Sequence, residues 1–250
     1  MDGHPYQGVD TNHNEVFFQG KEGEKVRLTF LLWTGLEGGG VHRIFYHQLK
    51  QADLGYLHKN TDELYYFARA ITETLMLLPE DDENYASLKT ALDRALLYID
   101  WDEDTFYESV DKAHQVLMDE LDRLEKHTDV TVHVVGHTHI DVAWLWRLKH
   151  TREKAQRSFS TVLRLMEQYD EYVFLQTQPQ LYKYIKEDCP ELYEGIRKRV
   201  AEGKWEPDGG MWVEADCNIS YGEALVRQFL HGTRFFEREF GKKCEYLWLP

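Results

Sequence analysis

Three side chains that can bind a metal ion alternate within the stretch GHTHIDVAW, namely His137, His139 and Asp141. Residues two apart in an extended chain point to the same side, so these three would lie together where a strand ends. Imidazole and carboxylate groups suit Zn²⁺ or a similar first-row ion, and a catalytic site also keeps one position open for water or substrate. The spacing predicts a metal site, whereas the plainer alternative is a set of polar residues that close a strand and bond to loop backbone.

A second polar stretch, EPDGGMWVEADCN, carries Glu214 and Asp216 after a pair of glycines that allow a tight turn. If this stretch is extended, both carboxylates face the same strand-end cleft. They would then be partners of a ligating histidine, or a general acid and base, with two solvated acids as the alternative. Trp144 follows Asp141 by three residues. Its indole face suits the C–H face of a sugar, although a tryptophan is more often part of a core.

The elements around these motifs alternate between strand and helix. The apolar run VTVHVVG predicts a buried strand. The metal-binding motif follows the carboxyl end of this strand, where parallel α/β folds place their sites. The repeated order predicts an α/β fold with a parallel sheet, either open or closed into a barrel. The further predicted elements are helix 146–168, strand 172–177, two short helices divided near Pro190, a strand in KWEPDGGMWV, helix 222–240 and a strand in CEYLWLP.

The chain is predicted to have three parts. Residues 1–58 contain short runs rich in Val, Phe and Leu between glycines, which is typical of a partial β region. Residues 59–128 carry three apolar stripes at helical spacing, separated by PEDDEN and DWDEDT, and predict a helical scaffold segment of antiparallel neighbours. Residues 129–250 hold the α/β pattern and both polar motifs.

The bulk composition excludes several classes of function. The 44 acidic and 29 basic residues give a formal charge of −15, which argues against nucleic acid as a partner. Three widely separated cysteines provide no disulfide framework and fit the reducing cytoplasm. No apolar run approaches the roughly 18 residues of a membrane span, and the N-terminus has no signal-peptide pattern. These features predict a cytoplasmic protein that does not cross a membrane.

The two polar motifs resemble those of glycoside hydrolase family 38, the α-mannosidases. The resemblance rests on GHTHIDVAWLW, on GKWEPDGGMWVEADCNISYGEALVRQFLHG and on EYLWLP, and covers roughly residues 130–250. The upstream part is similar to the cytosolic and bacterial branch of the family. The resemblance implies that residues 129–250 begin a seven-stranded α/β barrel-like catalytic domain.

The resemblance also implies roles for particular residues. His139 and Asp141 would bind one zinc ion, and Trp144 would stack under the mannose ring. His137 is not a ligand in the family and is expected to support the ligands without touching the metal, as are Glu214 and Asp216. Thus only two of the three apparent ligands in GHTHIDVAW are expected to hold the metal.

The implied reaction is retaining hydrolysis of a terminal α-mannoside in a glycan or oligosaccharide. In the family an aspartate that is both nucleophile and zinc ligand follows WLP, so it is expected just after Pro250, and the general acid and a further zinc-binding histidine are expected later. The chain is therefore expected to be a fragment that lacks catalytic residues of its own, is inactive alone and binds zinc poorly. An oligomer of the full-length protein is compatible with the sequence.

Two other functions remain compatible with the sequence. A different metal-dependent hydrolase, of the amidohydrolase or deacetylase type, would use His137, His139 and Asp141 together, so that replacing either histidine would cost equal metal affinity. A non-catalytic glycan-binding module would instead be a compact chain that melts cooperatively, since a cut barrel exposes sheet edge and apolar surface.

Overall fold

The computed structural model of the chain describes residues 5–10, 13–31, 51–102, 104–124 and 130–249. These residues form two compact units. The described parts of residues 48–131 make one of them, here called the helical unit. The described parts of residues 1–47 and 132–250 make the other, the α/β unit.

The helical unit consists of three amphipathic helices, as the apolar stripes predict. Their aliphatic faces meet in one small core, because each helix carries apolar residues at intervals of three and four. The helices are α1 (Lys59–Leu75), α2 (Glu83–Leu96) and α3 (Phe106–Asp122). The buried core residues are Leu64, Ile71, Ala91, Leu92, Ala95, Val110, Ala113 and Leu117.

The α/β unit contains a small parallel sheet with helices between its strands, which confirms the predicted α/β class. The sheet order is β1-β2-β3, with Gly136 opposite Phe174 and Phe174 opposite Trp205. Spatial order thus follows chain order, as it does when each strand is added beside the last. The elements are β1 (Gly136–His137), α4 (Leu148–Gln168), β2 (Phe174–Gln176), α5 (Pro179–Asp188), α6 (Pro190–Ala201), β3 (Trp205–Pro207) and α7 (Gly222–Phe240).

Aromatic side chains fill the core of the α/β unit. Trp205 on β3 and Tyr182 on α5 are fully buried, and the Trp205 indole N–H donates to the Tyr182 hydroxyl at 2.7 Å. The Tyr182 hydroxyl in turn donates to the Gln176 carbonyl oxygen at 2.9 Å. These bonds satisfy the polar ends of two large side chains, whose burial would otherwise be costly.

The turn after β3 depends on glycine. Gly209 and Gly210 have φ angles of 108° and 78°, in the left-handed region that residues with a Cβ rarely adopt. Helix α7 packs directly on this turn, since a Cβ at Gly232 would lie 2.1 Å from the Gly210 carbonyl oxygen. The turn therefore ends the strand and seats the helix at the same time.

Two predicted strands are much shorter than expected. Residues 130–135 are not part of a described strand, and their valines are exposed; the strand begins only at Gly136. The predicted strand in CEYLWLP is reduced to a single bridge between Gly209 and Leu247. An apolar run becomes a strand only if a neighbouring strand lies alongside it, whereas the N–H groups of Glu245 and Tyr246 bond to the Asp208 side chain and only that of Trp248 reaches the backbone of Gly209.

The predicted β region is not seen in the described residues before α1. Residues 5–10, 13–31 and 51–58 form no strand, while residues 32–50 lie outside the described part of the chain. The buried Gly8 instead packs on α4, where its N–H donates to the Thr161 hydroxyl at 3.1 Å. The division of the chain into residues 1–58, 59–128 and 129–250 remains a prediction.

No helix of the described ranges is both long enough and apolar enough to cross a membrane.

Candidate active site

The loop after β1 carries the predicted metal ligands and the predicted sugar platform. Ile140 within this loop is fully buried in the core. Because neighbours along an extended chain point to opposite sides, burial of Ile140 turns His139 and Asp141 outward together. Nε2 of His139 lies 3.0 Å from Oδ1 of Asp141. Their side chains are 44% and 35% exposed, so an ion from solvent can reach both.

This pair fits two ligands of one first-row ion. Zinc binds imidazole nitrogen and carboxylate oxygen at about 2.0–2.2 Å, which places ligand atoms about 3.4 Å apart at tetrahedral angles, close to the 3.0 Å between these two atoms. Within the part of the chain that the structure describes, no three His, Cys, Asp or Glu side chains are arranged to hold a metal ion. If the pair holds an ion, it supplies only part of the ligand set, and other groups must complete it.

Glu214 supports His139 from the side opposite to Asp141. Its side chain is only 3% exposed, and its Oε2 lies 2.7 Å from Nδ1 of His139. Oε2 has no well-aligned hydrogen-bond donor among the described residues, so the short contact with the imidazole is its main compensation for burial. Oε1 of the same carboxylate accepts a hydrogen bond from the Thr177 hydroxyl. A carboxylate behind a ligating histidine fixes the ring and favours the tautomer whose Nε2 is free.

His137 lies behind the pair and is mostly buried. Its ring packs on Trp248 with 4.4 Å between the ring centres, and its Nε2 is 4.0 Å from Oε1 of Glu214. Burial lowers the pKa of His137, and the negative charge of Glu214 opposes this shift only in part. Among the described residues, His137 forms no three-ligand cluster with His139 and Asp141.

The structure does not bring Asp216 to the site. The strand ends at Pro207, so the alternation expected from residues 213–216 is absent. The exposed Asp216 carboxylate accepts hydrogen bonds from the backbone N–H groups of Asn218 and Ile219, at 2.8 and 3.3 Å. These bonds shape the turn before α7.

Trp144 is exposed on the same loop as His139 and Asp141. Its side chain is 63% exposed and meets Trp146 edge to face, with 5.6 Å between ring centres. Ala143, just before it, has a φ of 65°, a left-handed conformation that costs a residue with a Cβ about 1–2 kcal/mol. Strain of this size persists where surrounding contacts hold the loop in place.

Thr151 on α4 provides such contacts, and the sequence patterns did not predict its role. Its fully buried hydroxyl donates to the Asp141 carbonyl oxygen at 3.2 Å. The hydroxyl oxygen of Thr151 also accepts from the Ala143 N–H at 3.2 Å and from the Trp146 indole N–H at 3.0 Å. One hydroxyl thus fixes the loop on both sides of the strained residue.

Two glutamines, one at the end of β2 and one two residues later, complete the support of the loop, and the sequence patterns did not predict them either. Nε2 of Gln176 donates to the Thr138 carbonyl oxygen at 3.2 Å, and Nε2 of Gln178 donates to that of Ile140 at 2.9 Å. The available signal was the polar run QTQPQ at the carboxyl end of a buried strand. Parallel strand ends share one edge of the sheet, so this run had to lie beside the loop after β1.

A cavity of about 690 Å³ lies at the back of this site. Thr177 and Trp248 line it, and the same two residues contact Glu214 and His137. Asp141 and Trp144 do not line it. The cavity therefore borders the residues behind His139 and not the exposed side of the loop with Asp141 and Trp144.

Comparison with known proteins identifies relatives of the α/β part. Residues 129–250 match the family model described as the glycosyl hydrolases family 38 N-terminal domain. "Alpha-mannosidase G" of Dictyostelium discoideum is 52% identical over 119 residues, which are 48% of this chain and 11% of that protein. Human "Alpha-mannosidase 2C1" is 48% identical over 120 residues, again 48% of this chain and 12% of the relative.

A yeast relative gives the same alignment length. "Alpha-mannosidase" of Saccharomyces cerevisiae is 42% identical over 120 residues, which are 48% of this chain and 11% of that protein. The matched segment thus spans little more than a tenth of the length of these relatives.

Proposed function

Because residues 129–250 belong to glycoside hydrolase family 38, we propose that this chain provides the metal-binding and sugar-binding part of an α-mannosidase active site. The observation that carries the proposal is the convergence of His139 and Asp141, 3.0 Å apart, on the loop that also exposes Trp144. The proposed substrate is a terminal α-mannoside of a glycan or oligosaccharide. Cleavage proceeds with retention of configuration.

We propose zinc as the metal, held here by His139 and Asp141. Bound zinc supplies Lewis-acid contacts that orient sugar hydroxyl groups. Glu214 holds the His139 ring so that Nε2 faces the ion, and its buried charge balances a proton on Nδ1. Trp144 offers its exposed indole face to the apolar face of the mannose ring.

The two reacting carboxylates of a retaining glycosidase are proposed to come from other parts of the whole protein. Such a pair stands about 5–5.5 Å apart on either side of the scissile bond. At this site Asp141 and Glu214 are both engaged with His139, which leaves neither free for attack. We therefore propose that the 250 residues alone do not hydrolyse mannosides.

The rest of the architecture is proposed in the same way. The in-order parallel strands β1, β2 and β3 support a barrel-like domain, because barrels add each strand beside the preceding one. The unpaired cysteines 189, 217 and 244 support a reducing compartment, and we propose the cytoplasm.

The placement of His137 supports this function over a hydrolase of the amidohydrolase or deacetylase type. Such a site would need Nε2 or Nδ1 of His137 to converge with His139 and Asp141. Its Nε2 instead approaches Glu214, and its ring is packed on Trp248. Replacing His137 by alanine is expected to weaken metal binding less than replacing His139.

A segment exchange tests the proposed function. Residues 129–250 would replace the matching segment of Dictyostelium Alpha-mannosidase G, and hydrolysis of an aryl α-mannoside would be followed with and without a chelator. The hybrid is expected to turn over the substrate, to lose this activity with the chelator and to lose it in the His139→Ala variant. A folded hybrid with chelator-insensitive activity would contradict zinc dependence, and turnover by the 250-residue chain alone would contradict the proposed origin of the reacting carboxylates.

A further inference from the structure

Gln178 lies directly after β2 and connects the two segments that build the proposed metal site. Its side-chain Nε2 donates to the Ile140 carbonyl oxygen at 2.9 Å, between the two proposed ligands. Its Oε1 accepts from the backbone N–H of Glu214 at 3.3 Å. One amide therefore joins the ligand loop after β1 to the residue that contacts Nδ1 of His139.

Burial makes this connection effective. Gln178 is only 2% exposed, and water does not replace its hydrogen bonds when they are broken. The backbone of Gln178 is also held in place, because its N–H donates to Oε1 of Gln176 at 3.3 Å. Only a side chain with a donor and an acceptor at this length can satisfy a carbonyl oxygen on one side and an N–H on the other.

We propose that Gln178 is a positioning residue that sets the distance between Glu214 and the His139–Asp141 pair, and thereby the affinity for the metal. This inference rests on the metal site of the proposed function. Without the amide, Ile140 and Glu214 lose their common anchor, and the imidazole is no longer held between two carboxylates at once. Outer partners of ligating histidines typically change metal affinity by about 10–100-fold.

The test is a calorimetric Zn²⁺ titration of the 250-residue chain carrying Gln178→Met, which keeps the length and removes both polar atoms. We expect its affinity to fall about tenfold or more relative to the unaltered chain. Gln180→Met is the matched control, because Gln180 belongs to the same polar run. Its side chain accepts a hydrogen bond from the Trp212 indole N–H at 2.9 Å and bonds neither to the loop after β1 nor to Glu214. The control is expected to change the affinity by less than about twofold.

Two further variants separate positioning from general stability. Ile185→Val weakens the core of α5 without touching the loop, since Ile185 is fully buried in the aromatic core. It is expected to lower the melting temperature and to leave the Zn²⁺ affinity unchanged. Gln178→Asn keeps both polar atoms but shortens the side chain by one methylene group, so it cannot reach Ile140 and Glu214 at once. Its affinity is expected to fall between those of the unaltered chain and Gln178→Met, which keeps the test decisive if the methionine variant does not fold.

The possible outcomes separate the two proposals. If the unaltered chain binds Zn²⁺ through His139 and the Gln178 variants bind as tightly as Gln180→Met, the positioning role is overturned and the metal site stands. The positioning role is also overturned if Ile185→Val loses as much affinity as Gln178→Met at equal melting temperature. If the unaltered chain and His139→Ala bind Zn²⁺ equally, the metal site of the proposed function fails and the positioning role fails with it.

Discussion

The helical unit and the α/β unit bury different kinds of side chain. In the helical unit the buried residues are all aliphatic, from Leu64 to Leu117. Every buried polar side chain of the described ranges lies in the α/β unit, and several of them hold the loop that carries His139 and Asp141. A buried amide or hydroxyl costs about 1–3 kcal/mol if unpaired, so these groups are tolerated where they bind backbone of a shaped loop. The position of buried polar residues thus separates scaffold from site.

The greatest loss of stability is expected in the scaffold. Leu117→Ala in α3 removes a fully buried side chain and should lower the free energy of unfolding by about 2–5 kcal/mol. Zn²⁺ affinity should not change, because none of the proposed ligands or their described partners lies in the helical unit. Denaturant unfolding and a Zn²⁺ titration measure the two quantities, with the exposed Leu77→Ala as control. Loss of Zn²⁺ affinity in a folded Leu117→Ala chain would remove the distinction between the units.

A smaller loss is expected when one hydroxyl is removed from the site. Thr151→Val keeps the shape of the side chain but leaves the Asp141 carbonyl oxygen and the Trp146 indole N–H without this partner. We expect a loss of about 1–3 kcal/mol in the free energy of unfolding. The same change at the exposed Thr90 of α2 should stay within about 0.5 kcal/mol. Equal effects at both positions would show that the buried hydroxyl does not hold the loop.

Stability should change least for an exposed tryptophan in each unit. Trp144→Ala and Trp101→Ala should each lower the free energy of unfolding by no more than about 1.5 kcal/mol, since both side chains are mostly exposed. Saturation-transfer NMR with methyl α-mannoside and Zn²⁺ should nevertheless lose its sugar signal only in Trp144→Ala. A signal that persists in that variant would contradict the proposed sugar platform.

Helices were predictable from the sequence because the spacing of apolar residues and the position of a proline determine a helix within its own segment of the chain. The predicted helix 222–240 coincides with α7, and the predicted break near Pro190 separates α5 from α6. Strands were less predictable, because a strand needs a partner that the sequence does not identify. The run of valines at 130–135 illustrates this point, since it has the composition of a buried strand and lies exposed.

The site was predictable only where its residues are adjacent in the chain. The spacing of His139, Asp141 and Trp144 placed all three on one loop, as the structure has them. Their support was not predictable in the same way, because Gln178 and Thr151 come from other elements and glutamine is usually a surface residue. Asp216 differs from them, because the sequence indicates an extended stretch at this position and the structure has a turn, whose backbone N–H groups donate to the Asp216 carboxylate.

A Zn²⁺ titration of the 250-residue chain decides whether His139 and Asp141 hold a metal ion with Glu214 behind them. The unaltered chain and His133→Ala should bind one Zn²⁺ with the same weak affinity, since the chain supplies only two ligands and His133 is exposed on the same run of chain. The Zn²⁺ affinity of His139→Ala should be lower by roughly 100-fold or more, because removing a ligand costs more than removing a residue that only supports one. Binding of Zn²⁺ by His139→Ala with unchanged affinity would contradict the proposed metal site.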